Sequence, residues 1–219
     1  MSEEILDLGC GGLKIFQDPE GYCFTTDSVL LANFVKCKKT DQVVEFCAGS
    51  GVISILLSNK QKPQRIYAFE IQKRLYEMFE RSIKLNCLEG TIIPFNLPLE
   101  DSSKVLSNQR IDVVFCNPPY MESGDKSLKE EIALATHEIG TSLDQIVSSA
   151  ERILKYGGKF YMVHKADRLV DVLVTLRKYS LEPKILKIVY PSNNAEPSIF
   201  LVSATKKAKK GIRISPQIV

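Results

Sequence analysis

The chain has 219 residues, 44% of them hydrophobic and 25% charged, with a formal net charge of +3, which matches an ordinary soluble protein built as one large domain with a substantial core. No apolar run approaches the roughly 20 residues a bilayer-spanning helix needs, Met1 to Glu4 lack a signal-peptide pattern, and the six cysteines show no C-x-x-C spacing. These features argue against a membrane protein, a disulfide framework and a cysteine metal site, and with only two histidines a His-based metal centre has little to draw on. We therefore expect a cytoplasmic protein with reduced thiols, no metal and a monomeric state.

Taken in chain order, residues 13–16, the turn Asp18-Pro19-Glu20-Gly21 and residues 22–24 predict a β-hairpin. Thr25, Thr26 and Asp27 supply the start of a helix whose inner face carries Val29, Leu30, Leu31, Phe34 and Val35. Strands are then predicted at 43–47, 66–69, 91–95, 112–116 and 158–163, with helices between the first four; the helix near 101–107 is weakly marked. Two helices, 127–139 and 142–155, precede the fifth strand, and Tyr156-Gly157-Gly158 stops the second of them. A helix near 166–178 leads to strands 184–190 and 198–205, joined by a turn rich in Pro, Asn and Ser and hence antiparallel. The alternation predicts a mostly parallel, seven-stranded sheet with the last strand antiparallel, helices on both faces and an N-terminal hairpin extension. We divide it into residues 1–40 (hairpin and helix), 41–205 (catalytic core) and 206–219 (basic tail).

Three local motifs fall at the carboxyl ends of these strands, where ligands of open α/β sheets sit. The first is Glu45-Phe46-Cys47-Ala48-Gly49-Ser50-Gly51, a strand, a glycine turn and a helix start. Gly49 and Gly51 permit a tight turn and close approach of a ligand. The position of a third dinucleotide-fingerprint glycine is Ser54. Glu45 would repel a pyrophosphate but suits a ligand carrying an ammonium and a sulfonium. The second motif is Glu70, about 20 residues past the glycines, where a ribose-gripping acid belongs; an acid at a helix start is the other reading. The third is Asn117-Pro118-Pro119-Tyr120. Two prolines fix the backbone and remove two donors. An Asn oxygen and a backbone carbonyl can then grip an NH2 group, and Tyr120 offers a stacking face. A plain turn after a strand is the alternative for Pro-Pro alone.

From Lys184 onward seven basic residues, among them Lys206, Lys207, Lys209 and Lys210, face one acid, Glu196. Such an end fits a phosphate-backbone contact or a solvated terminus. His137, on a predicted amphipathic helix, fits a structural or substrate-loop role better than that of a base, and His164 is expected to be packed or to face substrate.

The chain resembles the class I S-adenosylmethionine-dependent methyltransferases and, more narrowly, the bacterial tRNA1(Val) (adenine-37-N6)-methyltransferase family. The segments Phe24-Thr25-Thr26-Asp27-Ser28-Val29-Leu30-Leu31-Ala32, Glu45 to Gly51, Glu70-Ile71-Gln72, Asn117 to Tyr120 and Ala135-Thr136-His137-Glu138 carry the resemblance. It implies S-adenosylmethionine as cofactor and tRNA as partner. Gly49 and Gly51 would pass under the methionine part of the cofactor, with Glu45 near its ammonium. Thr26 and Asp27 would flank its methionine end, although Asp27 also reads as a helix cap. Glu70 and Ile71 would hold its ribose side and Asn96, or else Glu100 or Asp101, its adenine. Asn117, Pro118 and Tyr120 would be catalytic, Asn117 also touching the cofactor. Pro119, Tyr120, His137, Lys206, Lys207, Lys209 and Lys210 would meet the RNA. Two alternatives share these motifs: a glutamine-N5 methyltransferase acting on a release factor, disfavoured by the lack of an N-terminal helical domain, and a non-catalytic RNA-binding module. Ser54 and Glu45 make a nicotinamide-dependent enzyme the weakest reading.

Overall fold

The computed structural model describes residues 3–19, 23–107, 110–119 and 141–219. The central sheet contains β3 (Gln42–Phe46), β4 (Arg65–Phe69), β5 (Ile92–Phe95), β6 (Ile111–Cys116), β7 (Leu154–Lys165), β8 (Leu181–Val189), β9 (Ile199–Lys206) and β10 (Arg213–Ile214). Their spatial order is β10-β8-β9-β7-β6-β3-β4-β5, with β9 alone antiparallel to its neighbours. The expected seven strands are therefore eight. The extra one, β10, is two exposed residues on the edge of β8, too short and too polar in context to leave an alternation in the sequence. Residues 206–219 thus return along the sheet edge, where Val189 and Ile218 form a further bridge.

Helices cover both faces. On one lie α1 (Thr26–Phe34), α2 (Val52–Lys60) and α3 (Lys73–Leu85), which contribute Leu31, Ile55, Leu57, Phe79 and Ile83 to a core over Val43, Ile66 and Phe115. On the other lie α4 (Ser102–Val105), α5 (Leu143–Ile153) and α6 (Leu169–Lys178), over Val44, Phe160, Phe200 and Val202. The two apolar faces explain why the central strands read as near-continuous apolar runs. Helix α5 starts with a capping box between Ser142 and Gln145. It ends at Ile153, three residues before Tyr156, and Gly157 adopts φ +73° inside β7.

The N-terminal hairpin exists, but its strands differ from the expectation. Residues 14–17 form β2 (Lys14–Gln17), which pairs with the upstream β1 (Glu4–Asp7), and the described residues 23 and 24 are not in a strand. The turn between them holds Gly9, Gly11 and Gly12, with φ of +62°, +61° and +74°. Glycine supplies that conformation without steric cost, so the glycine cluster overrides the Pro-Gly signal downstream. The hairpin packs on α3: Ser82 Oγ accepts from the Phe16 amide at 3.0 Å, and the Arg81 guanidinium lies 4.6 Å from the Phe16 ring centroid. The helix expected at 127–139 lies outside the described residues, as do Tyr120 and His137.

Candidate active site

The strand register builds the site. Phe95, Phe69, Phe46, Cys116 and Met162 form one row across β5, β4, β3, β6 and β7. Asn96, Glu70, Cys47 and Asn117 are each the next residue in their chains, so all four line one edge of the sheet. Strand order reverses between β3 and β6, which opens the crevice in which such sheets bind ligands. The glycine turn and Asn117 flank that point. Among the residues singled out from the sequence, Glu45, Gly49, Gly51, Glu70, Asn96, Asn117 and Pro118 converge here.

The turn after β3 is held from beneath. The Ala48 amide donates to the Phe69 carbonyl at 3.0 Å and the Gly49 amide to Glu70 Oε2 at 2.7 Å. Gly49 has φ +55° and Gly51 φ +82°. Gly51 has a second constraint, because a Cβ there would lie 1.9 Å from the Phe79 ring. The chain also adopts φ +56° at Cys47, a non-glycine residue whose sequence carries no sign of it. Between the two glycines Ser50 is 1% exposed, and its Oγ has no hydrogen-bond partner among the described residues. A buried orphan hydroxyl in a left-handed turn fits a polar ligand group lying over it.

Glu70 joins the turn to the next loop, accepting from Gly49 and, through Oε1, from the Gln72 amide at 2.8 Å. Burial raises its carboxyl pKa and those amide bonds pull it down. A carboxylate has acceptor capacity beyond two bonds, which suits vicinal hydroxyls. Asn96 Nδ2 donates to the carbonyls of Glu70 and Ile71, each at 2.9 Å, so Asn96 braces this loop at the rim. The two acids weighed against it are engaged elsewhere: Glu100 accepts from Gln145 at 2.7 Å and Asp101 pairs with Lys104 at 2.7 Å. Ile71 is exposed on the same rim.

Asn117 is positioned by a residue to which the sequence alone assigned no role. Its Nδ2 donates to Ser28 Oγ of α1 at 3.0 Å, across 89 residues of chain. Ser28 is buried, and it follows Thr26 and Asp27 in the first turn of α1, so this helix start faces the crevice. With the amide nitrogen donating to Ser28, the acceptor end of the side chain is Oδ1, the polarity an amine substrate requires. Pro118 is buried and Pro119 exposed. His164, at the end of β7, stacks on Phe200, and burial pushes its pKa down to about 4.

Glu45 sits under the turn rather than at its rim. It is 1% exposed and accepts a hydrogen bond from Ser54 Oγ of α2. Burial pushes its carboxyl up to about 8, against the Ser54 hydrogen bonds and with help from the charge of Glu70. Between the ordinary carboxylate value of 4.5 and 8 the folded chain keeps a proton that the unfolded chain has lost. Stability therefore falls as pH rises through that window, by at most about 1.4 kcal/mol per pH unit. His164 acts in the opposite sense below its ordinary value of 6.5, so the net fall is expected above that pH. Denaturation midpoints of the ligand-free protein should drop from pH 6.5 to 8, and Glu45→Gln should flatten that drop. Parallel profiles for the two proteins would mean that Glu45 is ionised in the fold.

The basic end divides. Lys206 Nζ donates to the carbonyls of Glu151 and Leu154, the latter at 2.9 Å, and pairs with the Glu151 carboxylate at 3.0 Å. Its side chain, 13% exposed, is engaged with the end of α5. Lys207, Lys209 and Lys210 are exposed.

A family model described as the methyltransferase small domain matches residues 24–178, from the segment before α1 to the end of α6. A tRNA1(Val) (adenine(37)-N6)-methyltransferase from Porphyromonas gingivalis is 25% identical over 197 residues, covering 87% of this chain and 77% of the relative. Among solved structures, a predicted O-methyltransferase from Agrobacterium tumefaciens superposes with a TM-score of 0.69 at 15% identity, covering 88% of this chain and 86% of that one. The tRNA m1G37 methyltransferase of M. jannaschii gives 0.67 at 19%, covering 94% and 57%. At those identities the structural likeness speaks for the fold alone. The matched span contains the glycine turn, Glu70 and the Asn117-Pro118-Pro119 edge, and with them the chain belongs to the methyltransferase small domain family.

Proposed function

We propose that this chain methylates the N6 amine of an adenine in tRNA, adenine 37 of the anticodon loop of tRNA1(Val) being the candidate nucleotide, with S-adenosylmethionine as donor. The observation that carries the reading is the Ser28–Asn117 hydrogen bond, which fixes an amide side chain on a proline-braced edge of the same sheet end as the glycine turn. The relative from P. gingivalis bears this activity in its name.

S-adenosylmethionine, when bound, would supply a methyl group from its positively charged sulfur and leave as the neutral thioether S-adenosylhomocysteine. Glu70 would accept from its ribose hydroxyls, Ser50 Oγ and the Gly49–Gly51 turn would meet its methionine part, Thr26 and Asp27 at the start of α1 would flank that part, and Asn96 and Ile71 would hold the rim toward its adenine. The substrate amine is a weak nucleophile because its lone pair is delocalised into the ring. Asn117 Oδ1 and the Pro118 carbonyl each accept one of its hydrogens, which localises the pair and directs it at the methyl carbon. The proton leaves after transfer, so positioning and electrostatics supply the rate and no strong base is needed before attack. Pro119 is exposed at the end of this edge and Tyr120, next in the sequence, is the residue whose ring suits stacking on the base, which must leave its neighbours at a cost of a few kcal/mol, less in a loop that is already partly unstacked. The lysines at 207, 209 and 210 suit the phosphate backbone, and the protein acts as a monomer organised around residues 41–205.

The test is transfer of labelled methyl from S-adenosylmethionine, with unmodified tRNA and a release factor offered in parallel, followed by digestion to nucleosides and mass spectrometry. N6-methyladenosine in the tRNA digest is expected. Label on a glutamine of the protein substrate with none in RNA would replace this reading by the amide-methylating one. Failure of calorimetry to detect cofactor binding would leave a non-catalytic module.

A further inference from the structure

A second cavity lies on the α1 side of the sheet, away from the crevice. Its floor is β7, β9 and β8, with Tyr161 and Lys187; one wall is the end of α1, with Asn33 and Phe34, and the other is the returning C-terminal segment, with Arg213 and Ser215. Lys36 closes one side. The cavity holds about 270 Å³, near the lower end of small-ligand sites and enough for a ribose-phosphate.

Its charge is one-sided. Lys36, Lys187 and Arg213 line it and no Asp or Glu does. Among the described residues no carboxylate forms an ion pair with any of the three, whereas Lys155, Arg177 and Lys178 elsewhere on the surface all have one. A fourth cation, Lys60 of α2, donates to Asn33 Oδ1, which leaves the Asn33 amide nitrogen as the donor end. Cations that line one cavity with no carboxylate among the lining favour an anion there, although the charge of Asp41 also reaches Tyr161 on the floor. The walls also offer neutral donors (the Asn33 amide, the Ser215 hydroxyl) and an aromatic edge. Phe34 and Tyr161 meet at 5.7 Å in a T-shape, and Tyr161 is locked by a 3.3 Å bond to the Lys36 carbonyl.

Helix α1 links this cavity to the active edge. Ser28 in its first turn holds Asn117, and Phe34 at its end lines the cavity. The six-residue step from one to the other corresponds to about 9 Å of helix, a span that nucleotides flanking a target base can cross. We propose that this cavity seats a phosphodiester of the RNA strand beside the target nucleotide, so that α1 sets the distance between an anchored phosphate and the methylated amine. The proposal rests on the reading of the chain as an RNA methyltransferase. It also gives the carboxyl-terminal segment a specific role, since the pairing of β10 with β8 delivers Arg213 to the groove.

The test uses the full chain, an unmodified tRNA transcript and fluorescence anisotropy across a series of salt concentrations. The double variant Lys187→Ala/Arg213→Ala is expected to bind tRNA about tenfold more weakly, and the slope of log affinity against log salt should shrink by about 1 to 2, as loss of two phosphate contacts requires. The charge-preserving Lys187→Arg/Arg213→Lys pair should restore both, and S-adenosylmethionine affinity by calorimetry should match wild type in every variant. Wild-type affinity and slope in the alanine pair would overturn the proposal, as would lost cofactor binding in that pair, which would make the two cations structural. A wild-type protein that shows no salt-dependent tRNA binding would instead remove the functional reading, and this proposal with it.

Discussion

Replacing Asn117 with alanine is expected to lower the methyl-transfer rate about a thousandfold, near the upper end for loss of one preorganised polar group at a reacting centre. The side chain stands one residue beyond β6, oriented by Ser28 at 3.0 Å and followed by two prolines, so its oxygen is held before the substrate arrives. An alanine keeps the backbone edge and the Pro118 carbonyl but offers one acceptor to an amine with two hydrogens. Cofactor affinity should change only a few-fold, because Glu70, Ser50 and the glycine turn are untouched. Ser28→Ala should cost less, about tenfold in rate, because it frees the amide to rotate without removing the acceptor. Single-turnover rates at saturating tRNA, set beside calorimetry with the cofactor, separate the two effects. Turnover comparable to wild type in the Asn117 variant would show that another group accepts the amine.

Gly51→Ala is expected to destabilise the fold by about 2–5 kcal/mol, a large share of the roughly 5–15 kcal/mol that holds a domain of this kind together. Two independent costs add. A left-handed backbone, here φ +82°, disfavours a side chain by about 1–2 kcal/mol. The new Cβ also meets the fully buried Phe79 ring at 1.9 Å, and overpacking of that kind costs typically about 1–3 kcal/mol. Adding Phe79→Leu to Gly51→Ala should recover the steric part beyond Phe79→Leu's own cavity cost and leave the backbone part, so the pair should be less than additive in denaturant melts. Additive losses would mean that the ring moves aside freely. Because Gly51 caps α2 two residues after the Gly49 amide that binds Glu70, the single variant should also lose cofactor affinity.

The largest elements were legible from short-range pattern. Alternating apolar strands and periodic helices place β3 to β9 within a few residues of expectation, because burial on both faces of the sheet imposes apolar runs that show in any window. The glycine turn, Glu70 and the Asn117-Pro118-Pro119 edge were legible for a related reason: a left-handed turn and a rigid edge demand particular residue types wherever they occur.

What depended on partners distant in the chain was not legible. β2 pairs upstream because three glycines relieve that turn, a comparison between two turns that propensity alone did not decide. β10 takes its conformation from the open edge of β8, not from its own two residues. That Glu45 lies beneath the turn against Ser54, and that Lys206 is engaged at the end of α5, is likewise set by partners distant in the chain. Sequence by itself determined the fold class and the chemistry on offer at the carboxyl ends of three strands. Only the tertiary structure decided which side chains face the crevice, that Ser28 holds Asn117, and that Lys36, Lys187 and Arg213 share one groove, since charge and hydrogen bonding act through space and each of these residues acquires its partner from a different part of the chain.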